Sequence, residues 1–228
     1  MKILPKCGAG MTTNKTIETI AELSELVESG FSDDKETTVI YRGHGAVSFR
    51  LRPKVGRLLP PDNSAETLVI EALMLELFRR QSPGRIEIAD ANDWELLAIA
   101  QHHGLATRLL DWTRSPLAAL YFAVCNECET RDSDGRPKCE DAEIVAWRCS
   151  KMDLTNPLPP CGPLKIEQTI RYIPRMVTPR LRAHSGLFTV HPEPFNQARA
   201  HELGWRVRRA RIRLSTSPQE LPASGSFS

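Results

Sequence analysis

The segment Gln101-His102-His103-Gly104-Leu105-Ala106-Thr107-Arg108-Leu109-Leu110-Asp111-Trp112-Thr113 places polar and charged side chains within apolar sequence. A polar group that is buried without a partner costs roughly 1–3 kcal/mol, so these side chains must find hydrogen-bonding or ionic partners. Arg108 and Asp111 are close enough in sequence to pair locally, or they converge with Arg42. The segment is therefore either part of a ligand site or a structural network of ion pairs.

Helices are predicted on both sides of this segment from apolar residues at helical spacing. They cover residues 16–30, a stretch that begins at Ser64, and residues 92–102. Another helix opens at Ser115-Pro116, because proline is favoured in the first helical turn. Residues 117–124 are almost wholly apolar, which predicts that this helix is buried on all sides.

Strands are predicted where β-branched and aromatic residues cluster, over residues 37–41, 142–147, 187–191 and 205–214. Gly43 and Gly45 are expected to end the first of these strands, and residues 142–147 to form a central strand. Arginines alternate along the last strand, which is typical of an edge strand with one polar face. A short helix is expected over residues 164–173. Helices mixed with separated strands indicate an α+β fold.

The chain has 228 residues, 41% of them hydrophobic and 25% charged, with a formal net charge of +2. This composition indicates a globular protein, and no domain boundary is evident, so we expect one domain over residues 1–214 and a disordered tail over 215–228. No apolar run of about 18 residues occurs, which excludes a membrane-spanning helix. The N-terminus has no apolar core of a secretory signal, so we expect a cytoplasmic protein and no membrane partner.

Six cysteines are expected to be thiols in a reducing compartment. The Cys125-x-x-Cys128 spacing also occurs in zinc sites, with Cys139 and Cys149 as further candidate ligands. The adjacent His102 and His103 point apart on a helix or a strand and are poorly placed to chelate one metal together. Incidental thiols are favoured over a zinc site, and we expect no metal.

Two further stretches are candidates for ligand binding. In Tyr41-Arg42-Gly43-His44, an arginine at a strand end can bind a phosphate or carboxylate through two hydrogen bonds, or it can pair internally to fix the turn. Residues 171–214 contain ten arginines and, as acids, only Glu193 and Glu202. This excess of positive charge is suited to a phosphate-rich ligand or a nucleic acid, or it is balanced by acidic residues from the first half of the chain.

These stretches resemble the FRG domain family. The family is named for an aromatic-Arg-Gly triplet, matched here by Tyr41-Arg42-Gly43, and it carries a Q-H-x-G-x-x-T-R-L-L-D-W-[ST] signature, matched from Gln101 to Thr113. The similarity continues from Ser115 to Ala123 and includes the run from Arg182 to Thr189. It covers roughly residues 20–191.

The order of these parts is also similar to that of ADP-ribosyltransferase folds. By that fold-level analogy, the resemblance implies a mixed, partly split antiparallel sheet flanked by helices, with NAD as the substrate. Arg42, Asp111 and His184 would be the catalytic residues. The ligand-binding residues would be Tyr41, Gly43, His103, Thr107, Arg108, Thr113 and Ser185. His184 stands where the family favours glutamine, so no carboxylate occupies that position.

The resemblance leaves three functional interpretations open. The first is transfer of ADP-ribose from NAD to a macromolecular acceptor, as in effectors of toxins or phage defence. The second is a non-catalytic module that binds a nucleotide-type small molecule or RNA. In the third, the signature residues only hold the sheet together. Loss of stability in variants of Arg42 and Asp111 would distinguish the third interpretation from the others.

Overall fold

The computed structural model describes residues 15–30, 35–58, 64–82, 91–125, 140–150, 158–174, 186–196 and 206–213. Within these residues seven strands form one sheet: β1 (Lys15–Ile17), β2 (Thr37–His44), β3 (Leu109–Thr113), β4 (Ala142–Ser150), β5 (Ile170–Tyr172), β6 (Gly186–Val190) and β7 (Arg206–Ile212). The α-helices are α1 (Ile20–Gly30), α2 (Ser64–Gln81), α3 (Asp93–His102) and α4 (Pro116–Val124). The fold is α+β, as the sequence predicts.

The strands lie in the order β1-β7-β4-β2-β3-β6-β5, and the sheet is open and mixed. β1 and β7 are parallel, whereas the other neighbours are antiparallel. β2 pairs with β4 along its whole length, but it pairs with β3 at one position, Tyr41 opposite Thr113. Beyond that position β2 and β3 separate, so the sheet is split between them.

Two helices approach the sheet on either side of this split. α4 packs on β2 and β4, with Ala119 and Ala123 in the same core cluster as Tyr41. A Cβ at Gly43 would overlap the carbonyl oxygen of Ala119 and lie 2.6 Å from the backbone nitrogen of Ala123. Gly43 therefore permits the close approach of α4 to β2. α3 packs beside β3, β5 and β6, in a core cluster that includes Leu97 and Phe188.

Side-chain caps fix where these helices begin. Asn92 and Glu95 form a reciprocal capping box at the start of α3. The Ser115 hydroxyl accepts a hydrogen bond from the backbone N–H of Ala118, and Pro116 occupies the first helical turn of α4. The starts of α3 and α4 are thereby set by local sequence.

The first helix begins later than the sequence periodicity predicts. Lys15–Ile17 is a strand because it pairs with β7, and α1 starts at Ile20. Thr19 and Glu22 form a capping box there: the Glu22 carboxylate accepts from the backbone N–H of Thr19, and the Thr19 hydroxyl accepts from that of Glu22. The backbone N–H groups of Glu18 and Thr19 both donate to the Glu22 carboxylate and so lower the pKa of Glu22.

Three other predictions differ from the structure. The short helix expected over 164–173 is wrong: Pro163–Lys165 forms a single 3-10 turn, and Ile170–Tyr172 is a strand because it pairs with β6. β7 is not an edge strand, since β1 covers its outer side. α4 is not buried on all sides, because Leu117 and Tyr121 are exposed.

The first predicted strand also extends further than expected. β2 continues through Gly43 to His44, since its pairing with β4 holds the backbone extended at both residues. The single-domain boundaries at 1–214 stay a prediction, and the tail over 215–228 lies outside the described residues. None of the described helices is both long enough and apolar enough to cross a bilayer.

Candidate functional site

A pocket with a cavity volume of about 400 Å³ lies where β2 and β3 separate. Segments of three strands and two helices line it: Tyr41, Arg42, Gly43, Gln101, His102, Asp111, Trp112, Thr113, Phe122, Gly186, Leu187 and Phe188. The volume falls within the roughly 300–1,000 Å³ that small-molecule sites occupy. Aromatic and apolar walls with a few convergent polar groups are typical of such sites.

Arg42 bridges the two separating strands. Its Nη1 donates a hydrogen bond of 2.6 Å to the backbone carbonyl of Asp111 and lies 3.7 Å from the carboxylate Oδ2 of the same residue. The side chain of Arg42 is 20% exposed and that of Asp111 is 60% exposed. Burial lowers the pKa of Arg42, the Asp111 carboxylate raises it, and the cation of Arg57 lowers it further. The guanidinium remains charged at any physiological pH, so it offers a cation to the pocket.

Gln101 connects Asp111, in the middle of β3, to Thr107, which lies just before β3. The Thr107 hydroxyl donates to the Gln101 side-chain carbonyl (2.6 Å), and the Gln101 amide nitrogen donates to Asp111 Oδ2 (3.1 Å). Thr107 also accepts from the backbone N–H of Leu109 at 3.2 Å. These hydrogen bonds explain why Gln, Thr and Asp occur together in the signature. The sequence motif contains Gln101, but residue type alone assigns it no role.

His44 also contacts Arg42, through a nitrogen other than the one that binds Asp111. Arg42 Nε donates to His44 Nε2 at 3.3 Å, which requires an unprotonated Nε2 and puts the ring proton on Nδ1. Nδ1 lies 3.6 Å from Glu143 Oε2, too far for a good hydrogen bond, and Glu143 is held by Arg209 at 2.8 Å. Burial lowers the pKa of His44, and the neighbouring Arg42 cation lowers it further, although Glu143 opposes both effects. The neutral ring therefore orients the Arg42 guanidinium.

Arg108 does not reach the pocket, contrary to its expected role in ligand binding. It is fully buried, and its Nη2 and Nε both lie 2.8 Å from Glu71 Oε2. Neither Asp111 nor Arg42 pairs with it, because the carboxylate of α2 is enclosed with it in the core. For Arg108 the interpretation as a structural ion pair holds.

The other predicted binding residues occupy three kinds of position. Tyr41, Gly43 and Thr113 line the pocket beside Arg42 and Asp111. Thr107 is buried behind Gln101 and acts on the pocket only through it. His103 caps the end of α3 next to Phe78, whereas His102 lines the pocket.

His184 and Ser185 lie outside the described residues. The structure therefore does not test the catalytic role of His184 or the binding role of Ser185. Gly186, the next residue along the chain, lines the pocket.

A buried hydrogen-bond chain fixes Trp112, which also lines the pocket. The indole N–H of Trp112 donates to the Thr189 hydroxyl at 2.8 Å, so the Thr189 hydroxyl proton is directed to His191 Nε2, also at 2.8 Å. His191 Nδ1 lies 3.3 Å from the Thr169 hydroxyl. Burial lowers the pKa of His191 to about 3, with contributions from the cations of Arg42 and Arg108. His191 is thus neutral, and it holds Trp112 in place through the Thr189 hydroxyl.

Several arginines of the last third pair with acids from earlier in the chain. Arg213 lies 2.6 Å from Glu18, Arg209 lies 2.8 Å from Glu143, and Arg211 lies 3.9 Å from Asp141. Arg213 is therefore balanced by an acid from the first half of the chain, as that interpretation expects, whereas the partners of Arg209 and Arg211 lie on or directly before β4.

The zinc hypothesis for Cys125 and Cys128 is not tested, because Cys128 and Cys139 fall outside the described residues. Cys125 is an exposed free thiol, whereas Cys149 is buried in β4. Within the described parts of the chain, no three His, Cys, Asp or Glu side chains lie together as a metal site would require.

The geometry defines an α+β domain with an open mixed sheet, in which an arginine lies beside an exposed carboxylate at the opening between two strands. The comparison with known families then identifies the domain: the chain contains an FRG domain, matched over residues 37–132. The match includes Arg42, Gln101 and Asp111. The search of curated proteins found no match, and neither did the search of solved structures. The likeness to ADP-ribosyltransferase folds thus stays a prediction.

Proposed function

We propose that the pocket binds a nucleotide, with NAD as the substrate of an ADP-ribosyltransferase-like reaction on a macromolecular acceptor. The juxtaposition of the Arg42 guanidinium and the exposed Asp111 carboxylate at the opening between β2 and β3 carries the proposal. A guanidinium recognises phosphate oxygens through paired hydrogen bonds. Because Arg42 is already held by His44 and Asp111, it needs little reorganisation to bind an anion.

The walls suit the rest of a nucleotide. Phe122 lines the pocket and is partly exposed, so it provides aromatic surface against which a nicotinamide or adenine ring can pack. Trp112 and Phe188 also border the pocket, but they are only 3% and 2% exposed. The cavity of about 400 Å³ is at the small end of ligand sites, so we expect it to hold the mononucleotide half that reacts.

The chemistry requires the bond between nicotinamide and ribose to break. Its electron pair leaves with the nicotinamide, positive charge develops on the ribose, and a nucleophile of the acceptor forms the new bond at the anomeric carbon while losing its proton. Asp111 is the carboxylate among the described lining residues, and its charge stabilises the developing cation. Arg42 and Gln101 share that charge, which weakens its field at the ribose.

The test is consumption of NAD by the purified full-length chain, followed as nicotinamide release, together with the thermal shift on adding NAD or ADP-ribose. Arg42→Ala and Asp111→Asn should each lower nicotinamide release at least about 100-fold, whereas removal of a surface cation in Arg50→Ala should leave it unchanged. A protein that consumes no NAD and shows no thermal shift with either compound contradicts the proposal.

One observation favours binding without turnover as a second candidate function. The Asp111 carboxylate is engaged by both Gln101 and Arg42, so it serves as a partner for donors more than as a free catalytic group. A thermal shift with NAD or ADP-ribose but no nicotinamide release would support a nucleotide-binding module. For RNA, binding of labelled RNA that falls steeply with added salt is the expected result, and RNA that stays unbound at low salt excludes it.

A further inference from the structure

Helix α2 carries a row of exposed apolar side chains, called the ridge below and formed by Val69, Leu73 and Leu77. Val69, Leu73 and Leu77 are 59%, 58% and 53% exposed. They are four residues apart, so their side chains follow one another along the same side of the helix. Large exposed apolar patches on monomeric proteins commonly mark surfaces that contact another molecule.

The ridge is not needed to attach α2 to the domain. At about 100° per residue, Glu71 and Leu75 lie roughly 160° around the helix from Leu73. Glu71 is fully buried against Arg108, and Leu75 packs in the core cluster of α3 with Trp94. The inward face of α2 therefore binds the domain, and the core clusters of the described residues do not include Val69, Leu73 or Leu77.

Glu66 and Arg80 flank the ridge symmetrically about Leu73, whereas Glu76, which pairs with Arg80 at 2.7 Å, has no charged counterpart on the other side of Leu73. Glu66 precedes Leu73 by seven residues and Arg80 follows it by seven, which places each about 20° from it around the helix and about 10 Å from it along the axis. Both are exposed in the domain. Val69 and Leu77 are likewise equidistant from Leu73.

This symmetry matches an antiparallel pair of α2 helices from two copies of the chain. A two-fold axis at Leu73 places Leu73 against Leu73 of the second copy, Val69 against Leu77, and Glu66 beside Arg80. Such self-complementarity is what an isologous interface requires. The exposed ridge residues do not line the pocket, so pairing through α2 leaves the pocket open.

We propose that the occupant of this face is a second copy of the chain, bound through α2 in an antiparallel homodimer centred on Leu73. One helix face is smaller than a standard interface of about 1,600 Å², so we expect a dissociation constant in the micromolar range. This proposal is independent of the proposed function, because it involves none of the pocket residues.

Sedimentation equilibrium of the full chain over a wide concentration range tests the proposal. The wild-type protein should show a reversible monomer–dimer equilibrium. Leu73→Glu brings two carboxylates together at the apolar axis and should raise the dissociation constant at least about 100-fold, as expected for uncompensated buried charge. Leu117→Glu, at a 55% exposed position on α4, is the matched control and should leave it unchanged.

A charge exchange tests the predicted register. Glu66→Arg and Arg80→Glu should each weaken the dimer, because each places like charges opposite one another, and the double variant should restore it. Circular dichroism should show that every variant remains folded. A folded wild-type protein that is monomeric at all concentrations overturns the proposal, and so does a dimer that is unaffected by Leu73→Glu.

Discussion

Glu71 on α2 and Arg108, which directly precedes β3, form an ion pair that is sealed within the core. Arg108 donates to Glu71 from its side chain at 2.8 Å and from its own backbone N–H at 2.7 Å. Its Nη1 also lies 3.3 Å from the carbonyl oxygens of Pro163 and Leu164. The pair thus ties α2 and the 3-10 turn at Pro163–Lys165 to the signature segment just before β3 begins.

Removing one member of this pair should be severely destabilising. Glu71→Ala leaves a buried guanidinium without its counter-ion and should lower the free energy of unfolding by about 3–5 kcal/mol. Urea denaturation followed by circular dichroism measures this. The control Glu76→Ala removes an exposed partner of Arg80 and should cost no more than about 0.5 kcal/mol. Equal effects of the two substitutions would contradict the structural role of Arg108.

Asp111→Asn should separate activity from stability. The side chain is 60% exposed, so its contact with Arg42 contributes less than about 1 kcal/mol to the free energy of unfolding. Nicotinamide release should nevertheless fall at least about 100-fold, as for other groups that stabilise transition-state charge. Asp93→Asn, which weakens an exposed pair with Arg79, is the matched control. If Asp111→Asn unfolds the protein and Asp93→Asn does not, the result would favour the interpretation that the signature only holds the sheet together.

Gly43→Ala should destabilise the protein by more than Gly104→Ala. At Gly43 the added methyl group collides with the backbone of α4, and overpacking of this kind costs typically 1–3 kcal/mol. At Gly104 it meets nothing within 4 Å, but φ is +88°, so the cost of about 1–2 kcal/mol comes from backbone conformation alone. Gly104→Asn should recover part of that cost because asparagine tolerates this region. Thermal denaturation of the three variants provides the comparison, and a neutral Gly43→Ala would disprove the close approach of α4.

Acidification should destabilise the fold through His191. Its pKa is about 3 in the folded state and about 6.5 in an unfolded chain, so between these values the unfolded state binds the additional proton. The free energy of unfolding therefore decreases as the pH falls below about 6.5, by about 1.4 kcal/mol per pH unit for this one residue. His44, whose pKa is also lowered, adds to the decrease.

Urea denaturation at several pH values between 7 and 4 measures this slope. In His191→Gln the slope should become shallower, because the titrating group has gone while an amide remains to bond Thr189. His102→Gln, at an exposed position, controls for loss of a histidine. An unchanged slope in His191→Gln would show that His191 is not buried in its neutral form.

Local signals in the sequence predict much of the fold. α3 and α4 begin at capping residues, followed in α4 by proline, and the β-branched residues of β2 and β4 identify both strands. The Thr19-x-x-Glu22 capping box also specifies the start of α1, although apolar periodicity alone extends that helix back to Thr16. Strands β1 and β5 are three residues long and exist because of their neighbours, which no local pattern reveals.

The site is predictable in part for the same reason. The Tyr41-Arg42-Gly43 triplet and the signature identify Arg42 and Asp111, and the structure brings these two together. Arg108 belongs to the same signature, but its partner Glu71 lies 37 residues away and nothing in the local sequence connects them. Gln101 and His44 act through tertiary hydrogen bonds, so their roles become visible only in the folded chain.

The sheet order has a consequence for folding of the FRG segment. Residues 37–132 include β2 and β3, which meet at Tyr41 and Thr113, whereas the long partner of β2 is β4 and that of β3 is β6. β7, near the far end of the described chain, inserts between β4 and β1. A nascent polypeptide therefore cannot complete this sheet until residue 212 has left the ribosome, and a fragment cut to the matched residues would expose unpaired strand edges prone to aggregation.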